Sequence, residues 1–224
     1  MRYYFSRFVR FLHEGAIPLT KSILVLAGLV FVGSHFFNLR MMLGLTPAYL
    51  PGLFWTFITF PLVNTDFLSL VFAGLWLWFV GGSLERTWGY RIYGFFVILV
   101  VAVTGGAMSL AAIIVGKSWF QISGLWLPLV GITWAWAKIY PEREVMIWGV
   151  FPVKALWLAW INAGVVFFNY LRVDFLLALA TLSGIILVYL FGDTGRLGRG
   201  LNYRSWRREG TYSKSKRNRL RIIK

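Results

Sequence analysis

The chain has 224 residues, 58% of them hydrophobic and 14% charged, and its mean hydropathy is +0.69. Soluble domains carry about 25% charged residues, so this composition excludes an ordinary soluble protein and favours one integral membrane domain. The net charge is +15, and the lack of cysteine excludes a disulfide framework, a thiolate nucleophile and a thiolate metal site.

Six apolar stretches predict six membrane-spanning helices. The first is not followed by a small-residue cleavage pattern, so we interpret it as a retained span and not as a signal peptide. Several stretches are shorter than the roughly 20 residues that a helix needs to cross the bilayer, and we therefore expect local thinning of the membrane. The predicted cores are residues 23–37, 67–82, 92–115, 125–137, 146–168 and 175–191.

Lysine and arginine predict the orientation of these spans. An even number of spans puts both termini on one side, and that side holds all but three of the 23 basic residues, the exceptions being Arg40, Lys117 and Arg172. The positive-inside rule therefore predicts cytoplasmic termini. The expected organisation is a cytoplasmic segment at 1–21, a membrane domain at 22–192 and a basic cytoplasmic tail at 193–224.

The tail carries eleven of the basic residues, beginning at Arg196. Such a tail binds either nucleic acid, through neutralised phosphates, or anionic lipid headgroups, at about 1 kcal/mol per basic residue near the surface. We favour anionic lipid and expect no nucleic-acid partner.

The loop between the first two predicted spans, residues 41–64, is unusually apolar but has no run long enough to cross a membrane. We call it the apolar loop. Irregular backbone at membrane depth must be buried against protein, so we expect short helices that lie half-submerged in the outer leaflet.

Motifs in several segments occur in an order that resembles one family. The second span ends in Leu84-Glu85-Arg86-Thr87-Trp88-Gly89, the fourth begins near Gln121-Ile122-Ser123-Gly124, and Phe151-Pro152-Val153-Lys154 precedes the fifth helix. Together these motifs resemble the rhomboid family of intramembrane serine proteases. The resemblance implies an all-α, six-helix membrane bundle with the submerged apolar loop between helices 1 and 2.

The same resemblance makes Ser123 the candidate nucleophile, with Gln121 in place of the family's first glycine. A serine needs a positioned base, and the oxyanion needs preorganised donors. Aligned on the family, the catalytic histidine position falls at Leu177, and the two oxyanion-supporting positions fall at Ser69 and Ala73. The chain's two histidines, His13 and His35, lie far upstream.

Each remaining polar residue has a structural and a functional interpretation. Ser123 is either a nucleophile or an N-cap of the fourth helix, and we favour the cap. His35 is either a proton relay or metal ligand or a hydrogen-bonded interfacial residue, and we favour the latter. We expect no metal and no cofactor. Glu85 and Arg86 are expected to form a hydrogen-bonded junction that closes the cytoplasmic helix ends.

The sixth helix has Leu179 and Ala180 where the family has glycines. We expect this change to loosen its contact with the fourth helix. Asp174 is the nearby carboxylate, and carboxylates are poor bases for serine at neutral pH unless their pKa is raised.

The expected function is that of a non-catalytic rhomboid-like protein that binds transmembrane segments of other membrane proteins or serves as a subunit of a membrane complex. The alternative is a rhomboid intramembrane serine endopeptidase with Ser123 as nucleophile and an unidentified base. A transporter is disfavoured, because the spans lack paired charges. The expected location is the bacterial inner membrane, with an organellar membrane as the alternative.

Overall fold

A computed structural model of the chain describes residues 17–50, 52–147 and 151–190. His13, the basic N-terminal segment, the basic tail and the end of the last predicted span lie outside these residues. In the described part the fold is mostly helical, as the sequence predicts. The helices are α1 Pro18–Phe36, α2 Leu39–Leu43, α3 Thr56–Thr59, α4 Phe67–Trp88, α5 Tyr90–Ile114, α6 Trp126–Ile139, α7 Ala155–Leu171, α8 Phe175–Thr181 and α9 Ser183–Leu190.

Local chemistry explains several of these boundaries. Pro18 occupies the first turn of α1, where its missing N–H costs nothing. Asp66 accepts a hydrogen bond from the Ser69 amide at 2.6 Å and caps α4. Gly89 has a φ of 79°, which a side chain would disfavour, and it ends α4 and starts α5.

The predicted fifth span begins too early. Residues 144–147 and 151–154 form an antiparallel hairpin, β1 Glu144–Ile147 and β2 Phe151–Lys154, in which Glu144 lies opposite Lys154. Pro152 explains the error, because a proline inside a helix removes a hydrogen bond and clashes with the preceding turn. The helix therefore begins only at Ala155.

Helix lengths divide the bundle into long and short members. Within the described residues, α1, α4 and α5 are long and apolar enough to cross a membrane, whereas α7 and the 175–190 segment are shorter apolar helices. That last segment breaks at Leu182, between α8 and α9. Helix α6 has 14 residues.

Helices α6 and α9 meet backbone to backbone. A Cβ built on Gly184 would lie 3.1 Å from the Gly131 Cα, so both positions require glycine. This contact lies at Gly184, beyond the two substituted positions, and Leu179 is 43% exposed. The expectation of a loosened contact at Leu179 and Ala180 therefore stays a prediction.

The apolar loop contains short helical pieces, as predicted: α2, α3 and 3-10 turns at Pro47–Tyr49 and Phe60–Leu62. Phe60 and Leu45 are fully buried, while Met42, Phe54 and Ile58 are exposed. Gly105 of α5 makes room for the loop, since a Cβ there would lie 3.0 Å from Phe60 Cε1. The loop therefore packs on α5 with one face and presents an apolar face outward.

Candidate functional site

The apolar loop holds Ser123 in place through main-chain pairing. Residues 117–125, which we call the serine segment, connect α5 to α6. Leu45 and Ile122 exchange two backbone hydrogen bonds of 3.0 and 2.7 Å, and the Ala48 amide donates to the Ser118 carbonyl at 2.9 Å. Ser123 therefore follows directly on a residue fixed by antiparallel pairing.

Gln121 adds a side-chain tie between the two segments. Its Nε2 donates to the Arg40 carbonyl at 2.5 Å. A Cβ on Gly44 would collide with Gln121 Nε2, so the amide lies directly over the Gly44 backbone. The glutamine that replaces the family's motif glycine thus fastens the serine segment to the apolar loop.

Ser123 does not cap α6, so that prediction is wrong. Helix α6 begins at Trp126 with Leu125 as N-cap, and the Leu125 amide donates to Asn64 Oδ1 at 3.3 Å. The Gly124 amide donates to the Phe60 carbonyl at 3.2 Å, and its φ of 106° suits glycine. Ser123 is half-buried. In the part of the chain that the structure describes, its hydroxyl forms no hydrogen bond.

Asn64 is a residue that sequence reasoning missed. It is 3% exposed, its Oδ1 receives the Leu125 amide, and its Nδ2 donates to the Pro61 and Leu62 carbonyls at 3.3 Å. The sequence signal for this role was a polar residue, asparagine, at the end of the apolar loop. Its partner lies 61 residues away along the chain, a distance that local patterns do not reveal.

Leu177 is fully buried in an apolar cluster. The cluster also contains Ile122, which precedes the candidate nucleophile, together with Leu45 and Met108. An aliphatic side chain therefore fills the position that the family resemblance assigns to the base. Packing, and not proton transfer, is what this residue can supply.

The two positions assigned to oxyanion support have other surroundings. The Ser69 Oγ accepts a hydrogen bond from Trp126 Nε1 at 2.9 Å, which joins α4 to α6. Ala73 is fully buried and has no side-chain donor. This pair offers at most one hydroxyl to a developing negative charge.

Two further ionisable residues on this side, His35 and Asp174, have partners other than Ser123. His35 is exposed, its Nδ1 lies 2.9 Å from the Phe31 carbonyl, and its ring meets Phe31 edge-on, so the interpretation as a hydrogen-bonded residue is confirmed. Asp174 Oδ1 accepts from the Leu176 amide at 2.9 Å, and Asp174 Oδ2 lies 3.4 Å from Lys117 Nζ. Across the described residues, neither group hydrogen-bonds to Ser123, and no three His, Asp or Glu side chains converge on a metal site.

Glu85 forms the junction expected at the opposite end of the bundle. Its carboxylate is 2% exposed and accepts hydrogen bonds from the Leu19 amide, the Thr20 amide and the Thr20 hydroxyl at 2.7, 2.8 and 2.7 Å. These amides belong to the first turn of α1, where orphan N–H groups and the helix dipole favour an anion. Arg86 instead donates to the Gly82 carbonyl of its own helix at 3.0 Å.

A polar bridge crosses the interior at Thr133. Its Oγ1 accepts from Trp76 Nε1 at 2.9 Å and from Asn162 Nδ2 at 3.1 Å, which connects α4, α6 and α7. Asn162 Nδ2 also approaches the Leu129 carbonyl at 3.2 Å. Interhelical hydrogen bonds in membranes contribute about 0.6 kcal/mol each on average, so the bridge orients these helices more than it stabilises them.

Comparison with known proteins agrees with this architecture. A family model described as "Eukaryotic integral membrane protein (DUF1751)" matches residues 19–192. The chain is similar to the Rhomboid protease GlpG of Yersinia pestis, at 26% identity over 194 residues, which cover 84% of this chain and 66% of that protein.

Two further similarities are shorter. A Rhomboid protease GlpG homolog of Cronobacter sakazakii is 31% identical over 107 residues, covering 47% of this chain and 37% of the relative. The Rhomboid protease GlpG of Photorhabdus laumondii is 26% identical over 155 residues, covering 66% of this chain and 53% of the relative. The chain thus spans less than two thirds of the length of these curated relatives.

Proposed function

Because the chain belongs to the DUF1751 family of eukaryotic integral membrane proteins and is rhomboid-like, we propose that it is a non-catalytic member that binds transmembrane segments. Its partners would be other membrane proteins, either as clients or within a larger membrane complex. The observation that carries the proposal is Leu177, an aliphatic side chain buried at the position assigned to the base.

The energetic argument rests on the cost of losing a base. In the serine protease subtilisin, removing either the nucleophile or its base lowers turnover roughly a million-fold, about as much as removing the whole triad. No histidine follows residue 35, and Asp174 is held by Lys117 and by the start of α8. Within the described residues Ser123 forms no hydrogen bond to a base, so hydrolysis through it lacks an activating group there.

Short helices support the binding role. At 1.5 Å per residue, the 14 residues of α6 and the 17 of α7 measure about 21 and 25 Å, less than the hydrocarbon core of about 30 Å. A mismatch of this size favours a thinned bilayer around these helices. Partner helices that are themselves short or polar would gain by lying beside them.

The alternative is an intramembrane serine endopeptidase with Ser123 as nucleophile. Two observations favour keeping it: Ser123 is half-exposed with its hydroxyl unengaged, and the matched relatives carry the name rhomboid protease. It requires a base from outside the described residues or from a partner, acting on a serine that Gln121 and Ile122 hold in position.

Binding is tested in nanodiscs that hold the full chain with a fluorescent acceptor and donor-labelled transmembrane peptides of graded hydrophobic length. We expect energy transfer that is strongest for short peptides and unchanged by Ser123→Ala. Transfer no stronger than with an unrelated multispanning protein would contradict binding. Bilayer thickness measured around the reconstituted protein tests the thinning itself, and undisturbed lipid would contradict it.

Location follows the same proposal. We propose that the membrane domain at 22–192 has both termini on the cytoplasmic side, with the basic tail 193–224 on anionic lipid, because all but three basic residues then lie inside. The bacterial origin of the matched proteases supports the bacterial inner membrane, whereas the family description names eukaryotes and supports an organellar one. Fractionation of source cells distinguishes the two.

A further inference from the structure

An apolar cavity of about 240 Å³ lies between α1 and α5. Its floor is formed by buried side chains that include Leu77 of α4, Leu129 of α6 and Leu125, the N-cap residue of α6. Its rim is formed by Leu26, Ile58 and Ile98, which are each about half exposed. The cavity is therefore a groove that faces the surrounding membrane, and Ser123 is not among the residues that line it.

The size of the groove decides what fits. A water molecule occupies about 30 Å³ in the liquid, and a methylene group is of similar size, so the groove holds roughly eight methylene groups. A helix with its side chains is about 10–12 Å across and rises about 5.4 Å per turn, so a single turn occupies more than about 400 Å³ and exceeds the volume of the groove. Both walls have the same length: Leu19 to Leu26 on α1 and Gly94 to Val101 on α5.

A positive charge lies in line with one end of the rim. Arg91 precedes Ile98 by seven residues, which is two turns of α5, so both lie on the same stripe of the helix. Arg91 is exposed, and its Nε donates to the Tyr90 hydroxyl at 2.9 Å. A guanidinium and a phenol in the first turn of a membrane helix are suited to a phosphate at the lipid headgroup level.

The groove and the charge together point to one occupant. We propose that the groove binds an anionic phospholipid, with part of an acyl chain between α1 and α5 and the phosphate at Arg91. The groove is closed at the end nearest Arg91, because a Cβ on Gly94 there would come within 2.9 Å of Leu19 Cδ1. The acyl chain would therefore leave the groove over its exposed rim to reach Arg91. In the proposed orientation this end faces the cytoplasmic leaflet, which carries the anionic lipids.

The chain offers matched variants for a test. Ile98→Trp fills the groove, and Ile113→Trp places the same ring on the same helix at an equally exposed residue that does not line it. Arg91→Gln removes the headgroup charge. Arg143→Gln removes a similarly exposed arginine that also lies over a neighbouring tyrosine ring, at 5.4 Å compared with 5.6 Å for Arg91.

The experiment uses the full chain in nanodiscs that contain phosphatidylglycerol or phosphatidylcholine with a photoreactive diazirine in one acyl chain. Adducts are mapped by peptide mass spectrometry. We expect adducts concentrated on the groove residues of α1 and α5, several-fold more from phosphatidylglycerol. Ile98→Trp should reduce these adducts several-fold, whereas Ile113→Trp should not. Arg91→Gln should abolish the preference for phosphatidylglycerol, whereas Arg143→Gln should leave it unchanged.

Three results would overturn the proposal. They are adducts spread evenly over all exposed apolar residues, equal effects of the two members of either pair, and groove adducts displaced by an added transmembrane peptide, which would make the groove a helix site. Ile98→Phe serves if the tryptophan variant does not fold. Because the readout is lipid attachment, it is independent of any binding of transmembrane segments.

Discussion

At the scale of single residues, the polar side chains described here mainly connect one helix or segment to another. Glu85, Asn64 and Asp174 each accept a backbone amide at or next to the start of a helix: α1, α6 and α8 respectively. Buried polar groups are costly unless hydrogen-bonded, and the buried side chains of Glu85 and Asn64 both accept main-chain hydrogen bonds. Ser123, the residue with the strongest family signal, has no such role.

Removing the Glu85 carboxylate tests the junction with α1. Glu85→Ala leaves two amides and one hydroxyl of the α1 start without their acceptor, and hydrogen bonds to charged groups contribute about 1.5–3 kcal/mol. We expect unfolding in mixed micelles to become easier by about 2–4 kcal/mol. Glu142→Ala, at a surface ion pair with Lys154, should change it by less than about 1 kcal/mol. Equal effects would contradict the junction.

Two leucines of α8 test which position is buried. Leu177 is fully buried and Leu179 is 43% exposed, although they are two residues apart. Leu177→Ala should cost about 2–3 kcal/mol through the cavity it leaves, and Leu179→Ala well under 1 kcal/mol. Reversible unfolding of the two variants, measured side by side, checks this. The opposite order would mean that the position assigned to the base is not part of the core.

At the scale of helices and strands, glycine decides where helices touch. Gly184→Ala would place a methyl group 3.1 Å from the Gly131 Cα, and backbone cannot yield as a side chain does. Overpacking of this kind costs about 1–3 kcal/mol. Gly164→Ala of α7 meets nothing within 4 Å and should be neutral or stabilising by up to about 1 kcal/mol, from helix propensity. Thermal stability in detergent compares the two, and equal loss would contradict the α6–α9 contact.

Element positions were largely predictable because apolar length is a local property. The starts of α4 and α8 fall at Phe67 and Phe175, where the apolar runs begin after Asp66 and Asp174. The hairpin before α7 was missed because hydropathy does not distinguish a strand from a helix, although Pro152 marked the place. The pairing of Leu45 with Ile122, and the cap that Asn64 provides, join residues far apart in sequence and so left no local signal.

At the scale of the whole molecule, the proposed orientation in the membrane can be tested directly. The chain has no cysteine, so single substitutions can be labelled without background. Trp119→Cys, at a residue 71% exposed on the side of Ser123, and Glu142→Cys, at an exposed residue on the side of Glu85, report opposite faces. We expect an impermeant thiol reagent to label the first variant in intact cells and the second only after permeabilisation. The reverse pattern would overturn the orientation and the leaflet assigned to Arg91.

For the candidate site, the sequence predicted the family but not the contacts around Ser123. The family resemblance correctly indicated a rhomboid-like membrane protein, since whole-chain order and spacing carry that information. The role of Gln121 could not be predicted, because its partner, the Arg40 carbonyl, comes from the apolar loop.

The most direct measurement is cleavage of a labelled transmembrane substrate by the purified full chain in proteoliposomes, beside Ser123→Ala, with fluorophosphonate labelling of both. The account predicts no cleavage and no label in either protein, while both remain folded and bind transmembrane peptides. Cleavage and labelling that depend on Ser123 would contradict it. They would show that a base reaches this serine despite Leu177.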